Sequence, residues 1–214
     1  MITAIFDLDG TLADTLEDLA DSVNEGLEEL GLPVHPYSSY NMFVGNGAAK
    51  LCYRALPEDK KELAGTLHEL FSRNYSRNYL NKTKLYPGIH DMLRKLSENG
   101  VMLAVATNKP HDFAVSLMKE LLPDISFFSV LGGCDERPKK PDKAIITETL
   151  NALPCRPDKV FMTGDSGVDI QTAKNAGIIP IGCEWGFRSR AELEENGADI
   201  IVSSPAELPG IILT

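Results

Sequence analysis

No stretch of this 214-residue chain is apolar over anything near the roughly 18 residues that a helical membrane span requires. The chain opens on a strand-like run rather than on a basic-then-apolar leader, so the expectation is a soluble, cytoplasmic protein with no membrane partner. Positive charge is scarce: 21 Lys and Arg face 31 Asp and Glu, a net charge of −10 that argues against affinity for nucleic acid or anionic lipid. A small anionic ligand would therefore need local positive charge or a metal. Cysteine is also sparse. Cys52, Cys134, Cys155 and Cys183 are scattered, with no CxxC and no metal-type spacing, and read as reduced thiols. His35, His68, His90 and His111 show no ligand spacing either. Internal repeats and low-complexity segments are absent.

What is present is concentrated at the start. Ile2-Thr3-Ala4-Ile5-Phe6 reads as a buried strand and runs directly into Asp7-Leu8-Asp9-Gly10-Thr11. Side chains alternate along an extended chain, so Asp7 and Asp9 share a face, with Cα atoms about 6–7 Å apart from roughly 3.3 Å of rise per residue. Gly10 lets the backbone turn at once, and Thr11 can bond into that turn. Two like charges converging at the end of a buried strand are costly unless a cation or a proton accompanies them.

The rest of the chain supplies the frame. Apolar residues at helical spacing predict a helix over 15–30, ended by Gly31. A loop with Pro33 and Pro36 follows, then helices over 47–56 and 58–80, with no further strand expected before about residue 83. From Tyr86-Pro87-Gly88 onward the pattern alternates. Helices are expected over 88–99, 111–121, 142–152 and 167–176, and apolar strands over 101–106, 127–131, 159–163, 178–181 and 199–202. Continuously apolar strands alternating with helices indicate a parallel sheet covered on both faces. The expected fold class is α/β: a Rossmann-like parallel sheet built from residues 1–13 and 84–214, with an all-helical domain inserted over 14–83.

Ligands of such sheets bind at the carboxyl ends of the strands. There the chain places Asp7 and Asp9, then Thr107-Asn108-Lys109, then Lys139-Lys140-Pro141, then Gly164-Asp165-Ser166-Gly167-Val168-Asp169. Each has a plain reading alone. DxD is a common pattern, Thr107 can cap a helix, a Lys pair is usually solvated, and acids at a helix start are favoured by the helix dipole. Separate readings do not explain why all four groups fall at the ends of apolar strands.

Together these motifs resemble the haloacid dehalogenase (HAD) superfamily of phosphotransferases, over essentially the whole chain. The helical insert corresponds to its C1-type cap. Phe43-Val44-Gly45-Asn46-Gly47-Ala48, Arg54-Ala55-Leu56 and Thr107-Asn108-Lys109-Pro110 resemble the phosphoglycolate phosphatase branch. The resemblance implies a phosphomonoester hydrolase acting through an aspartyl-phosphate, on 2-phosphoglycolate to give glycolate and phosphate. Asp7 is then the nucleophile and Asp9 the acid/base. Mg²⁺ is held by Asp7, the backbone carbonyl of Asp9 and Asp165, with Asp169 supporting its water shell. Thr107, Asn108 and the Gly10 turn hold phosphoryl oxygens, and Lys140 neutralises charge, Lys139 being the competing choice. Asp9 separates the branches, because related dehalogenases expel a halide that needs no proton and lack this second acid. A pyrophosphatase, a β-phosphoglucomutase-like phosphotransferase and a non-catalytic phosphometabolite-binding module are the alternatives. In the insert, Gly45-Asn46-Gly47 is either a turn or a loop closing over substrate, and Arg54 either meets a substrate carboxylate or a surface partner. Trp185-Gly186-Phe187-Arg188 either borders the crevice or simply packs. The expected partner is a small phosphorylated metabolite, and the chain a monomer or homodimer.

Overall fold

The computed structural model describes residues 1–214. Strand β1 (Ile2–Phe6) occupies the middle of a six-stranded parallel sheet and pairs on one side with β4 (Met102–Pro110) and on the other with β6 (Lys159–Gly164). Beyond β4 lies β5 (Ser129–Gly133); beyond β6 lie β7 (Ile179–Cys183) and β8 (Ile200–Val202), in the order β5-β4-β1-β6-β7-β8. Two faces of β1 explain its uninterrupted apolar run. Ala4 and Phe6 point into one core with Leu93, Leu103 and Phe161, and Ile5 into the other with Ala104, Ile146 and Met162. Helices α5 (Ile89–Glu98), α6 (His111–Leu121), α7 (Ala144–Asn151) and α8 (Gly167–Ala176) cover the two faces, as the alternating pattern predicts. Short helices α9 (Arg190–Glu195) and α10 (Leu208–Ile212) complete the C-terminal part.

Between β1 and α5 the chain leaves the sheet and returns. Helices α1 (Leu16–Glu29), α2 (Tyr37–Phe43), α3 (Ala48–Ala55) and α4 (Ala64–Asn78) pack around an apolar centre of their own that includes Leu19, Val23, Tyr40, Leu51, Leu67 and Phe71. The exit and return segments pair as a two-stranded antiparallel ribbon, β2 (Ala13–Asp14) with β3 (Lys84–Leu85). Asp18, buried in the first turn of α1, accepts the backbone N–H groups of Lys82 and Thr83 and fastens the return.

Three departures from the sequence expectations have local causes. The stretch 33–46, expected as loop, contains α2. Its only fully buried anchor is Tyr40, whose hydroxyl donates to Asn24 Oδ1 at 2.7 Å, and a helix with one anchor has too short a stripe to read from periodicity. The helix expected over 58–80 is split. Glu58–Leu63 is charged in all but its last position, buries nothing and tightens into a 3₁₀ helix, and α4 begins only at Ala64. Strand β2 interrupts the all-helical reading of the insert, because a two-residue strand exists only through its partner.

Candidate active site

Asp7 follows β1 directly and continues its ladder, its N–H donating to the Thr163 carbonyl of β6 at 3.0 Å. Gly10 then turns the chain with φ +83°, and a Cβ there would lie 2.4 Å from Asp165 Oδ2. The glycine is thus required twice, for its left-handed backbone and for the room it leaves Asp165. Its N–H is taken by the Ala13 carbonyl at 2.9 Å, so the expected contact of Gly10 with phosphate is not available from this turn.

Asp7, Asp165 and Asp169, all buried, bring carboxylate oxygens within 4.8 Å of one another. Lys140, also buried, sits among them: its Nζ donates to Asp169 Oδ1 at 2.6 Å and to the Ala106 carbonyl at 2.9 Å, and lies 3.0 Å from Asp7 Oδ1. That last approach is an ion pair by distance, but its angle is off a hydrogen bond, which leaves Asp7 Oδ1 buried and without a donor. Lys139 is exposed at the rim, so Lys140 is the lysine that reaches the carboxylates. Asn108 positions it: the Lys140 N–H donates to Asn108 Oδ1 at 2.9 Å, and Asn108 Nδ2 donates back to the Lys140 carbonyl at 3.2 Å.

The electrostatics follow from this crowding. Burial pushes the Asp7 carboxyl up to about 6, against the pull of Lys140 and the Thr107 hydroxyl, with Asp169 adding repulsion. Asp165 is pushed well above the usual carboxylate range by burial and by its two acidic neighbours, against the Phe187 N–H donating to Oδ2 at 2.8 Å. Burial would lower Lys140, but Asp169 and Asp7 outweigh it and hold the ammonium charged. Three carboxylates against one lysine would, when all are ionised, leave an excess of two negative charges on hard oxygen donors. That excess and the undonated Asp7 Oδ1 fit a divalent metal ion. Asp169 is the exception within the trio: Oδ1 is bound by Lys140, while Oδ2 accepts the Ser166 hydroxyl at 2.6 Å and the Ser166 N–H at 3.1 Å, closing a capping box at the start of α8. Both of its oxygens are held by strong donors; Asp165 accepts the Phe187 N–H on Oδ2 and, at 3.3 Å, the Thr11 hydroxyl on Oδ1, so Asp7 Oδ1 is the carboxylate oxygen of the trio with no donor.

Asp9 stands apart from this cluster. Its Oδ1 accepts the Thr15 hydroxyl at 2.8 Å and the Lys109 ammonium at 2.9 Å, and no side chain or N–H reaches Oδ2. Asp7, Asp9, Thr107, Asn108 and Lys109 form the floor of a small cavity of about 30 Å³, roofed by Leu19, Val44, Gly45, Gly47, Leu51, Phe71 and Tyr75 of the helical insert. The insert is held down at three places. Asn108 Nδ2 donates to the Gly45 carbonyl at 3.1 Å, Arg188 Nη2 donates to the Val44 carbonyl at 3.0 Å, and Phe113 of α6 meets Tyr75 edge-on with ring centroids 4.9 Å apart.

Among the insert residues, Gly45 and Gly47 face the cavity; Asn46 and Arg54 do not. The Arg54 guanidinium donates to the Phe43 carbonyl at 2.9 Å and to Asn46 Oδ1 at 2.7 Å, and so braces the loop from behind. Arg54 thus lies outside the cavity lining, with both terminal nitrogens of its guanidinium donating to the loop, and the structure does not place it against a substrate carboxylate. The 185–188 loop has the opposite outcome. Trp185 Nε1 donates to the Thr11 carbonyl at 2.9 Å, Gly186 passes where a Cβ would lie 2.3 Å from the Gly10 carbonyl oxygen, and Phe187 caps Asp165. Its WGFR sequence favours a packing reading over a border one, and only the fold brings it to Asp165.

Residues 4–182 match the haloacid dehalogenase-like hydrolase family. The chain is 35% identical to the phosphoglycolate phosphatase of Pseudomonas savastanoi pv. phaseolicola, over 97% of this chain and 79% of that one. It is also 35% identical to the phosphoglycolate phosphatase of Mannheimia succiniciproducens, over 97% and 96%. A solved hydrolase of the haloacid dehalogenase-like family from Streptococcus pneumoniae superposes with a TM-score of 0.87 at 26% identity, over 98% of each chain. The chain belongs to the haloacid dehalogenase-like hydrolases, as a phosphatase similar to the phosphoglycolate phosphatases.

Proposed function

We propose that this enzyme is a Mg²⁺-dependent phosphatase that hydrolyses 2-phosphoglycolate through an aspartyl-phosphate on Asp7. The observation that carries the reading is the division of labour between two carboxylates at the end of one strand. Asp7 lies in the buried acidic cluster with an undonated oxygen beside Lys140, and Asp9 lies outside it with one oxygen fixed and the other unpaired. Asp7 attacks phosphorus and forms an acyl phosphate. Asp9 gives a proton to the departing alkoxide, then takes one from the water that hydrolyses the acyl phosphate. Lys140 and the Thr107 hydroxyl offset charge on the nucleophile and the transferred group. Asp7, the backbone carbonyl of Asp9 and Asp165 would hold the ion, with Asp169 behind them. When bound, Mg²⁺ offsets the acidic excess and withdraws charge from the phosphoryl oxygens. The apolar roof keeps bulk water out of the site and leaves room for the single water that Asp9 activates.

A small cavity beside which Arg54 and Arg188 donate to loop carbonyls favours a short substrate. Phosphate release measured across 2-phosphoglycolate, pyrophosphate and hexose phosphates should rank 2-phosphoglycolate first in kcat/KM by more than about tenfold. A higher rank for pyrophosphate or a hexose phosphate rejects the substrate and leaves the chemistry standing.

The metal has its own expected signature. The carboxyls of Asp7 and Asp165 are both raised by folding, so the stability they contribute is present below their unfolded values near 4 and is lost as pH rises through the folded value, about 6 for Asp7. Mg²⁺ binds only the charged forms. Excess Mg²⁺ should therefore raise Tm by roughly 5 °C at pH 7.5, the size expected of a ligand at about 100 times Kd in a domain this large, and have little effect at pH 5. Thermal melts with and without Mg²⁺ at both pH values check this; an equal shift at both would remove the carboxylate pair as the ion's site.

A further inference from the structure

Lys109 takes no part in the chemistry above, yet it is as buried as Lys140 and lies at the junction of sheet and insert. It follows Thr107 by two residues at the end of β4. Its ammonium donates to Asp9 Oδ1 at 2.9 Å and sits 4.7 Å from the centroid of the Tyr75 ring, which belongs to α4 of the insert. Burial would discharge the amine, but Asp9 and Tyr75 hold it protonated. The second group on Asp9 Oδ1 is the hydroxyl of Thr15, the residue that starts α1. Both restraints fall on the same oxygen, so Oδ2 is left to face the cavity in a single orientation. Thr15 and Tyr75 belong to the insert and Lys109 to the sheet; the ring of Tyr75 is itself set by Phe113 and Phe71, whose centroids lie 4.9 Å and 5.2 Å away.

We propose that Lys109 is a positioning residue that aims the Asp9 carboxylate, and that Tyr75 completes the arrangement when α4 seats over it, so that the proton donor is aligned only with the insert closed. A cation over an aromatic face gains most where both are desolvated, which is the condition closure creates. A charge-assisted bond to one carboxylate oxygen fixes the rotamer of the other. This proposal rests on the reading of Asp9 as proton donor, and its test separates the two.

The test compares kcat/KM for 2-phosphoglycolate, whose alkoxide needs a proton to leave, with kcat/KM for p-nitrophenyl phosphate, whose phenolate does not. Both values report the first phosphoryl transfer. Asp9→Asn calibrates the comparison and should lose far more on the alkyl ester than on the aryl ester; an equal loss on both would overturn the reading of Asp9 and this proposal with it. With that calibration in hand, Lys109→Met should lose about 100-fold on 2-phosphoglycolate and less than about fivefold on the aryl ester, within the range of proton-transfer catalysis. Retained aryl turnover shows that the variant is folded, and Lys109→Arg should recover part of the alkyl rate. Tyr75→Leu should show the same selective loss at about tenfold, and Tyr75→Phe, which keeps the ring, a smaller one. Equal losses on the two esters in Lys109→Met and in Tyr75→Leu would overturn the proposal and mark both residues as structural. Should Lys109→Met fail to fold, the ratio in Tyr75→Leu and Lys109→Arg decides alone.

Discussion

An Asp7→Asn protein is expected to hydrolyse phosphate esters at least about 10⁴-fold more slowly than the parent, as loss of a covalent nucleophile does elsewhere. An amide has the shape of the carboxylate but cannot form the acyl phosphate. The fold should not suffer. Asp7 is a buried acid raised to about 6 by burial and by acidic neighbours, so at pH 7.5 the native state carries the cost of its charge. Removing that charge should leave the metal-free Tm equal to or above the parent's, which thermal melts will show alongside the rate. A variant that loses activity and stability together would point to a framework role for Asp7. A variant with parental turnover would remove it from the chemistry.

Lys140→Met has the second largest expected effect, of a different kind. Lys140 is the only cation in contact with Asp7 and Asp169, and it also satisfies the Ala106 carbonyl. Methionine fills a similar volume and leaves two carboxylates uncompensated in a buried site. Breaking a buried ion pair from one side typically costs about 3–5 kcal/mol. Stability in urea at pH 7.5 should fall by about that amount, and less at pH 5, where Asp7 takes up a proton. Turnover should fall by about 10³-fold or more, because the transferred phosphoryl group loses its nearest positive charge. Lys139→Met is the control: that side chain lies exposed at the rim, and its loss should leave stability unchanged.

The sheet was legible because nearly every strand is apolar on both faces, so β1, β4, β6 and β7 and the helices between them announce themselves by composition alone. The acidic site was legible for a related reason, since strand ends in such a sheet converge and each carried a chemically marked residue. What escaped is what depends on the partner of a residue rather than on the residue. The ribbon β2–β3 exists only as a pair. Arg54 and Arg188 are the same residue type, both bound to loop carbonyls, and no spacing distinguishes a cation that braces a loop from one that meets a substrate. Lys109 stood in plain view beside Thr107 and Asn108, but its role depends on Tyr75, on a helix 34 residues earlier in the chain. The turn at Gly10 is legible from sequence, but its second reason, the Asp165 carboxylate it admits 155 residues on, is not.

Phosphate that passes through Asp7 can be trapped there. Asp9→Asn enzyme, in which hydrolysis of the acyl phosphate lacks its base, is mixed with Mg²⁺ and p-nitrophenyl phosphate, quenched in acid, reduced with borohydride and digested for mass spectrometry. Reduction converts an aspartyl phosphate to homoserine. Homoserine is expected at position 7 and at no other aspartate, in an amount that follows the burst of p-nitrophenol. A burst that leaves position 7 as aspartate, or a reduced residue elsewhere, would contradict passage through Asp7.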